Sequence, residues 1–202
     1  MAGRPRSFDR DEALSSALRV FWSKGYADAS MTDLTGAMGI NAPSLYAAFG
    51  SKEDLFREAV RLYTETEGAS LWASVREAST AREAVEGLLL ATAAVSGQCG
   101  RPQGCLLALS GMNPDTLPEK ACSEVKQVRV ESMASMRERL EAAKAAGELA
   151  PTADPAAIAA FYLTVQQGMT FRAREGAGPE ELTAIARAAM LAWDGLAGVR
   201  RS

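Results

Sequence analysis

Histidine is absent from all 202 residues, and cysteine occurs three times, at Cys99, Cys105 and Cys122. Without imidazole there is no side chain that ordinarily titrates near neutrality for acid–base work, and mixed cysteine–histidine zinc sites lack their donors. An odd cysteine count gives no disulfide framework. Long hydrophobic runs are missing too: the longest, Ala156 to Leu163, has eight residues, against the roughly 18 or more that a membrane span needs. Arg4 and Arg6 are followed by Asp9, Asp11 and Glu12, not by an apolar segment, so the start of the chain does not have the pattern of a secretory signal. No G-x-S-x-G elbow, P-loop or G-x-G-x-x-G after a strand is present. These absences exclude the common hydrolases and nucleotide enzymes. They point to a cytoplasmic protein that is not an enzyme, with no metal, no cofactor and no membrane contact.

An excess of positive charge is also lacking. The net charge is −3, and within residues 1–50 five basic residues (Arg4, Arg6, Arg10, Arg19, Lys24) balance five acidic ones (Asp9, Asp11, Glu12, Asp28, Asp33). If this segment meets nucleic acid, it does so through the placement of a few cations. Affinity should then fall with salt less steeply than for strongly basic binders.

What is present is a pattern of capped helices. Ser30 with Asp33 forms an S-x-x-D capping box, which starts a helix that buries Leu34, Ala37 and Met38 and ends at Gly39. Ile40 fills the angle of the turn. Asn41 then caps a second helix with Ala42 and Pro43 in its first turn, and Gly50 ends it. At about eight residues this helix cannot persist alone, so Leu45 and Phe49 must anchor it to a core. Its outer face stays available to a partner. A short mounted helix of this kind fits the DNA major groove, with Asn41 and Ser44 as base readers.

A first amphipathic helix precedes the motif, with Ala13, Leu14, Ala17, Leu18, Phe21 and Trp22 on one face. Ser51 and Asp54 make another capping box, opening a helix through Leu55, Phe56, Val60 and Tyr63. In order and spacing, Ala17, Phe21, Gly25, Tyr26, Ser30, Leu34, Gly39, Ile40, Pro43, Ser44, Leu45, Tyr46, Phe49, Ser51, Lys52, Glu53 and Leu55 resemble the N-terminal signature of the TetR family of bacterial transcriptional repressors. The resemblance covers about the first 60 residues. It implies an all-α homodimer: a three-helix helix-turn-helix DNA-binding domain over residues 1–50, a linking helix from about residue 51, and a ligand-binding and dimerisation domain over residues 51–202. It further implies phosphate contacts from Thr32, Tyr46 and Lys52, base-edge contacts from Asn41, Ala42 and Ser44, and a tail bearing Arg4 and Arg6. Gly36 inside the first motif helix, and Ala47 with Ala48 in the second, leave fewer side chains to reach bases.

Residues 68–79 carry no clear pattern. Beyond them, helical spacing predicts helices over 84–95, 104–112, about 119–146, 155–173 and 182–196, making about nine in all, with no strand and no repeat. Alanine-rich faces of the last two, with Ala156, Ala157, Ala159, Ala160 and Gly168 facing Ala184, Ala188 and Ala189, suit close packing between subunits. Trp72, Met112, Met133, Met136, Phe161, Tyr162 and Met169, with Gln166, Gln167 and Arg172 as polar anchors, are candidates to line a pocket for an unknown small-molecule inducer, as is Cys105. The function expected is a repressor on a pseudo-palindromic double-stranded operator, released by that inducer; activation in place of repression stays open. One alternative is a thiol sensor of redox state or electrophiles acting through Cys105, with Cys99 near enough in sequence to resolve a sulfenate and Arg101 nearby. A non-DNA-binding helical adaptor is a more remote one.

Overall fold

The computed structural model describes residues 8–96, 98, 100–112 and 114–198. Among these, every regular element is helical. The first four helices are α1 (Arg10–Asp28), α2 (Met31–Met38), α3 (Ala42–Phe49) and α4 (Lys52–Tyr63). Without a break, α4 runs through a π-helical turn, Thr64–Gly68, into α5 (Ala69–Glu77). Next come α6 (Ala81–Val95), α7 (Leu106–Met112), a 3₁₀ turn at Pro114–Thr116 and α8 (Glu119–Ala145). The chain closes with α9 (Pro155–Arg174), α10 (Pro179–Met190) and α11 (Trp193–Ala197). The segment 68–79, which lacks a sequence signal, is thus helical, as the continuation of α4. The last expected helix is broken by a turn at residues 191–192.

Caps locate the boundaries, including two, Asp9 and Thr80, that the sequence reading did not mark. Asp9, Ser30, Asn41, Ser51, Thr80 and Asp154 each accept backbone N–H groups of the helix they open. α1 holds one exception: Gly25 is non-helical at φ 81°, a conformation that favours glycine. The last turn of α1 is thereby set off from the rest.

Two apolar clusters organise the molecule. The N-terminal one joins α1 to α4 and reaches beyond them to Leu106 of α7 and to Ala121 and Val125 of α8. The C-terminal one takes Val75, most of α6, the second half of α8 (Met136, Leu140, Ala143) and α9 to α11. α8 therefore belongs to both, and packing places α4 with α1 to α3. Two details differ from the sequence reading. Ala37 is exposed, because an eight-residue helix buries only the row through Leu34 and Met38. Ala159 is fully buried in the C-terminal core beside Ile158, off the exposed face of α9.

Candidate nucleic-acid interface and ligand cavity

The helix-turn-helix is held by polar fasteners as well as by its core. Ser30 Oγ accepts from Asp33 N at 3.0 Å, and Asp33 accepts in return from the Ser30 backbone at 3.0 Å. Lys24 of α1 donates to Asp33 at 2.6 Å, tying α1 to α2. Lys24, then Ser30, hold the Asp33 carboxyl down at about 2. For α3 the fastener is Arg10, which the sequence did not single out. Its guanidinium lies 4.3 Å from the Phe49 ring centroid, donates to the Ala48 carbonyl at 3.4 Å and pairs with Glu58 of α4 at 2.7 Å. An arginine at the first position of α1 was the only signal, and it carries no spacing rule.

The described residues among those expected at DNA run from the first turn of α2 to the first turn of α4. Thr32 is exposed in the first turn of α2; Asn41 is exposed, Ala42 and Ser44 are half-buried, and Tyr46 is 50% exposed on α3. Asn41 Oδ1 accepts the Ser44 N–H at 2.9 Å. The oxygen that a bidentate adenine contact would use is therefore engaged in capping. Lys52 is half-buried at the first turn of α4, with its ammonium 4.5 Å from the Tyr26 ring centroid; burial lowers its pKa. Arg4 and Arg6 lie outside the described residues.

A cavity of about 80 Å³ sits on the seam between the two apolar clusters. The structure brings Trp72, Cys105, Met133, Gln166 and Gln167 together around it, along with Tyr63, Leu107, Arg129 and Ser132, which the sequence did not mark. The nearly buried Gln166 amide donates to Thr92 Oγ1 at 3.4 Å, long for a hydrogen bond. Burial, and then Cys105 hydrogen-bonded to it, push the Tyr63 phenol well above its ordinary pKa. The other predicted pocket residues lie elsewhere. Met136, Tyr162 and Met169 are core side chains, and burial raises the Tyr162 pKa to about 12. Met112 and Phe161 are exposed, and Arg172 spans Glu175 and Glu181 at the surface. Helical spacing marks an inward face but does not separate its packed side chains from cavity walls.

Family models match both halves of the chain. Residues 13–59 match "Bacterial regulatory proteins, tetR family", and residues 81–190 match "Tetracyclin repressor-like, C-terminal domain". The chain belongs to the TetR family. Among curated TetR-type relatives, the HTH-type transcriptional repressor ComR of Escherichia coli (strain K12) is 33% identical over 95% of this chain and 91% of its own length. BdcR, a repressor of the same organism, is 30% identical over 91% of this chain and 88% of its own. A solved structure of the TetR-family regulator CifR, a cysteine variant complexed with 26-bp double-strand operator DNA, is 42% identical with a TM-score of 0.88, covering 94% of this chain and 100% of that one. The TetR-family assignment makes the chain a non-enzymatic transcriptional regulator with a helix-turn-helix. No helix among the described residues is long and apolar enough to cross a membrane.

Proposed function

We propose that this TetR-family protein is a cytoplasmic homodimeric repressor that holds a pseudo-palindromic operator through α3 and releases it when a small, mostly apolar molecule enters the seam cavity. The observation that carries the DNA contact is the mounting of α3. Asn41 caps it, Arg10 and Phe49 fix its inner side, and Tyr46 stands half exposed on the outer one. Thr32, Tyr46 and Lys52 then serve the phosphates, Asn41, Ala42 and Ser44 lie at the base edges, and the Arg4 and Arg6 tail adds charge. The repressors ComR and BdcR and the operator-bound CifR support this reading.

Dimerisation is supported by an uncovered apolar surface. Ala157, Ala160, Phe161, Gly168 and Phe171 of α9 are exposed, as are Ala184 and Ala188 of α10 and Leu191 after it; Leu191 is 73% exposed. Two recognition helices held by that surface read two half-sites. The ligand reading rests on Gln166, a buried amide at the wall of a cavity that Trp72, Leu88, Leu107 and Met133 make largely apolar.

The test is a titration of the purified protein against duplexes selected from random sequence. The expected result is a two-fold-symmetric site bound by two chains, with a shallow salt slope. A single half-site bound by a monomer, or a very steep slope, overturns this reading.

A second reading is favoured by the contact of Cys105 with Tyr63 at the cavity wall. Peroxide would oxidise the Cys105 thiol to a sulfenic acid: the sulfur takes one peroxide oxygen, the O–O bond breaks, and the other oxygen leaves as water. Cys99, the candidate resolving thiol, lies outside the described residues. Reversible loss of operator binding on oxidation, abolished by Cys105→Ser, would support this reading, and indifference to oxidant would refute it.

A further inference from the structure

The helix assigned to the major groove carries little with which to read hydrogen bonds. From its cap at Asn41 to its last residue, Phe49, α3 contains no arginine, lysine, glutamine, glutamate or aspartate. The bidentate partners of guanine and the acceptors that suit the cytosine amino group are therefore missing. Asn41 is the one residue of the adenine-reading kind, and its Oδ1 is taken by the Ser44 N–H at 2.9 Å. Such a helix must find its sequence by contacts of another sort.

Helical geometry puts Pro43 and Ala47, one turn apart, on the side of α3 opposite the buried Leu45 and Phe49. Both are exposed. The apex of α3 is thus a pyrrolidine ring followed by a methyl group, with exposed Tyr46 to one side and half-buried Ser44 to the other. No longer side chain projects there, so the helix itself can approach the base edges in a groove about 12 Å wide. Among the groups displayed in that groove, the thymine 5-methyl is the apolar one, and covering it with Pro43 or Ala47 is favourable. A polar base edge in the same place would lose water and gain no hydrogen bond. The apex is also held at a set angle. Arg10 stacks on Phe49 at 4.3 Å, donates to the Ala48 carbonyl and pairs with Glu58 of α4.

We propose that α3 selects its operator by thymine methyl groups: the Ala47 methyl and the Pro43 ring each cover a thymine 5-methyl in every half-site. This rests on α3 being the helix that enters the major groove. Four residues of helix rise about 6 Å, less than two base-pair steps of about 3.4 Å. The two thymines, on either strand, therefore fall within three adjacent base pairs. Asn41 Nδ2 and the Ser44 hydroxyl add single contacts at the edge of a site that the methyl groups define.

The experiment uses the full chain and the duplex selected from random sequence. Each thymine is replaced in turn by deoxyuridine, in both half-sites at once, which removes the 5-methyl and keeps the base pair and all its hydrogen-bonding groups. Two positions are expected to lose about tenfold or more, since each removes two methyl contacts worth roughly fourfold apiece. The other thymines should stay within about twofold. The thymine-to-deoxyuridine affinity ratio is then measured for Ala47→Gly. That variant loosens α3 on every duplex alike, so the loosening cancels in the ratio. At one of the two positions the ratio should fall to within about twofold, and at the other it should be kept. A deoxyuridine penalty that Ala47→Gly leaves unchanged at both positions overturns the apex contact. A selected half-site without thymine overturns it too. Duplexes with 7-deazaadenine or 7-deazaguanine, which lack the N7 acceptor of the same groove, separate this inference from the one beneath it. Weakening by the 7-deaza bases with no deoxyuridine effect overturns the methyl reading and leaves α3 in the groove. Indifference to both kinds of analogue at every position overturns both.

Discussion

Phe21, Tyr26 and Phe56 interlock on the DNA side with ring centroids 5.1 to 6.1 Å apart, and Trp22 meets Tyr63 edge-on at 4.9 Å. The C-terminal side is built mostly from alanine, leucine and methionine, and where it meets the DNA side it leaves a cavity. Large rings in fixed mutual orientations make a unit that moves as a body. Thin, slender side chains around a void make one that can be repacked. A regulator needs both: a head that keeps its recognition helix in register and a body that changes shape when occupied.

The largest expected effect tests that difference directly. Phe56 is fully buried between Phe21 and Tyr26, so Phe56→Ala should lower unfolding free energy by about 3–5 kcal/mol. Met133 is only partly buried and already borders the cavity. Met133→Ala should cost about 1 kcal/mol, below the range for sealed core sites. Denaturant unfolding measures both, and similar losses would erase the contrast between a sealed head and an adjustable seam.

On the DNA face itself, Tyr46→Ala should weaken binding to all duplexes by roughly tenfold, the worth of one hydrogen bond to a charged group. Asn41→Ala should loosen the cap of α3 by about 1 kcal/mol and relax sequence preference. Binding to the selected site and to scrambled duplexes separates the two; identical losses on both would show that these residues do the same work.

The head was legible because its determinants are local. Ser30 with Asp33, Asn41 with Pro43, and Ser51 with Asp54 each declare a helix start within four residues of sequence, and all three caps form, although Asp54 accepts from the Ser51 hydroxyl and not from the Ser51 N–H that a full capping box would use. Arg10 was not legible, because its partners Phe49 and Glu58 are some forty residues away. The seam was half legible for the same reason. Trp72, Met133 and Gln166 carry the apolar or amide character of a pocket wall, but so do Met136 and Met169, which are core. Only the arrangement of six helices in space decides which of them borders a void. The π-helical turn at Thr64–Gly68 gave no periodic signal, since its extra residue shifts the repeat on which such a signal depends.

Coupling between head and body also runs through charge. Glu124 of α8 accepts from Arg57 and Arg61 of α4, both at 2.6 Å, and its hydrogen bond raises the Arg57 pKa. Its side chain is 17% exposed. Glu124→Gln should cost about 1 kcal/mol, as for a partly screened pair, and less at high salt. A double-mutant cycle with Arg57→Gln that shows no coupling at low salt would remove α4 and α8 from the set of linked elements.

The smallest effect concerns the fastening of α2 to α1. Asp33 titrates at about 2 in the folded chain, against 3.8 ordinarily, because Lys24 and Ser30 hydrogen-bond its charged form. A depressed carboxyl contributes stability that is fully present above pH 4 and lost as pH falls through the folded value. The group lies at the surface, so it makes only a modest contribution, further reduced by salt. Asp33→Asn should therefore differ from the parent in unfolding midpoint at neutral pH, and the difference should shrink steadily between about pH 4 and pH 2. A difference that stays constant across that window would mean that the charge of Asp33 plays no part in its cap, and that α2 is held to α1 by the packing of Leu34 and Met38 alone.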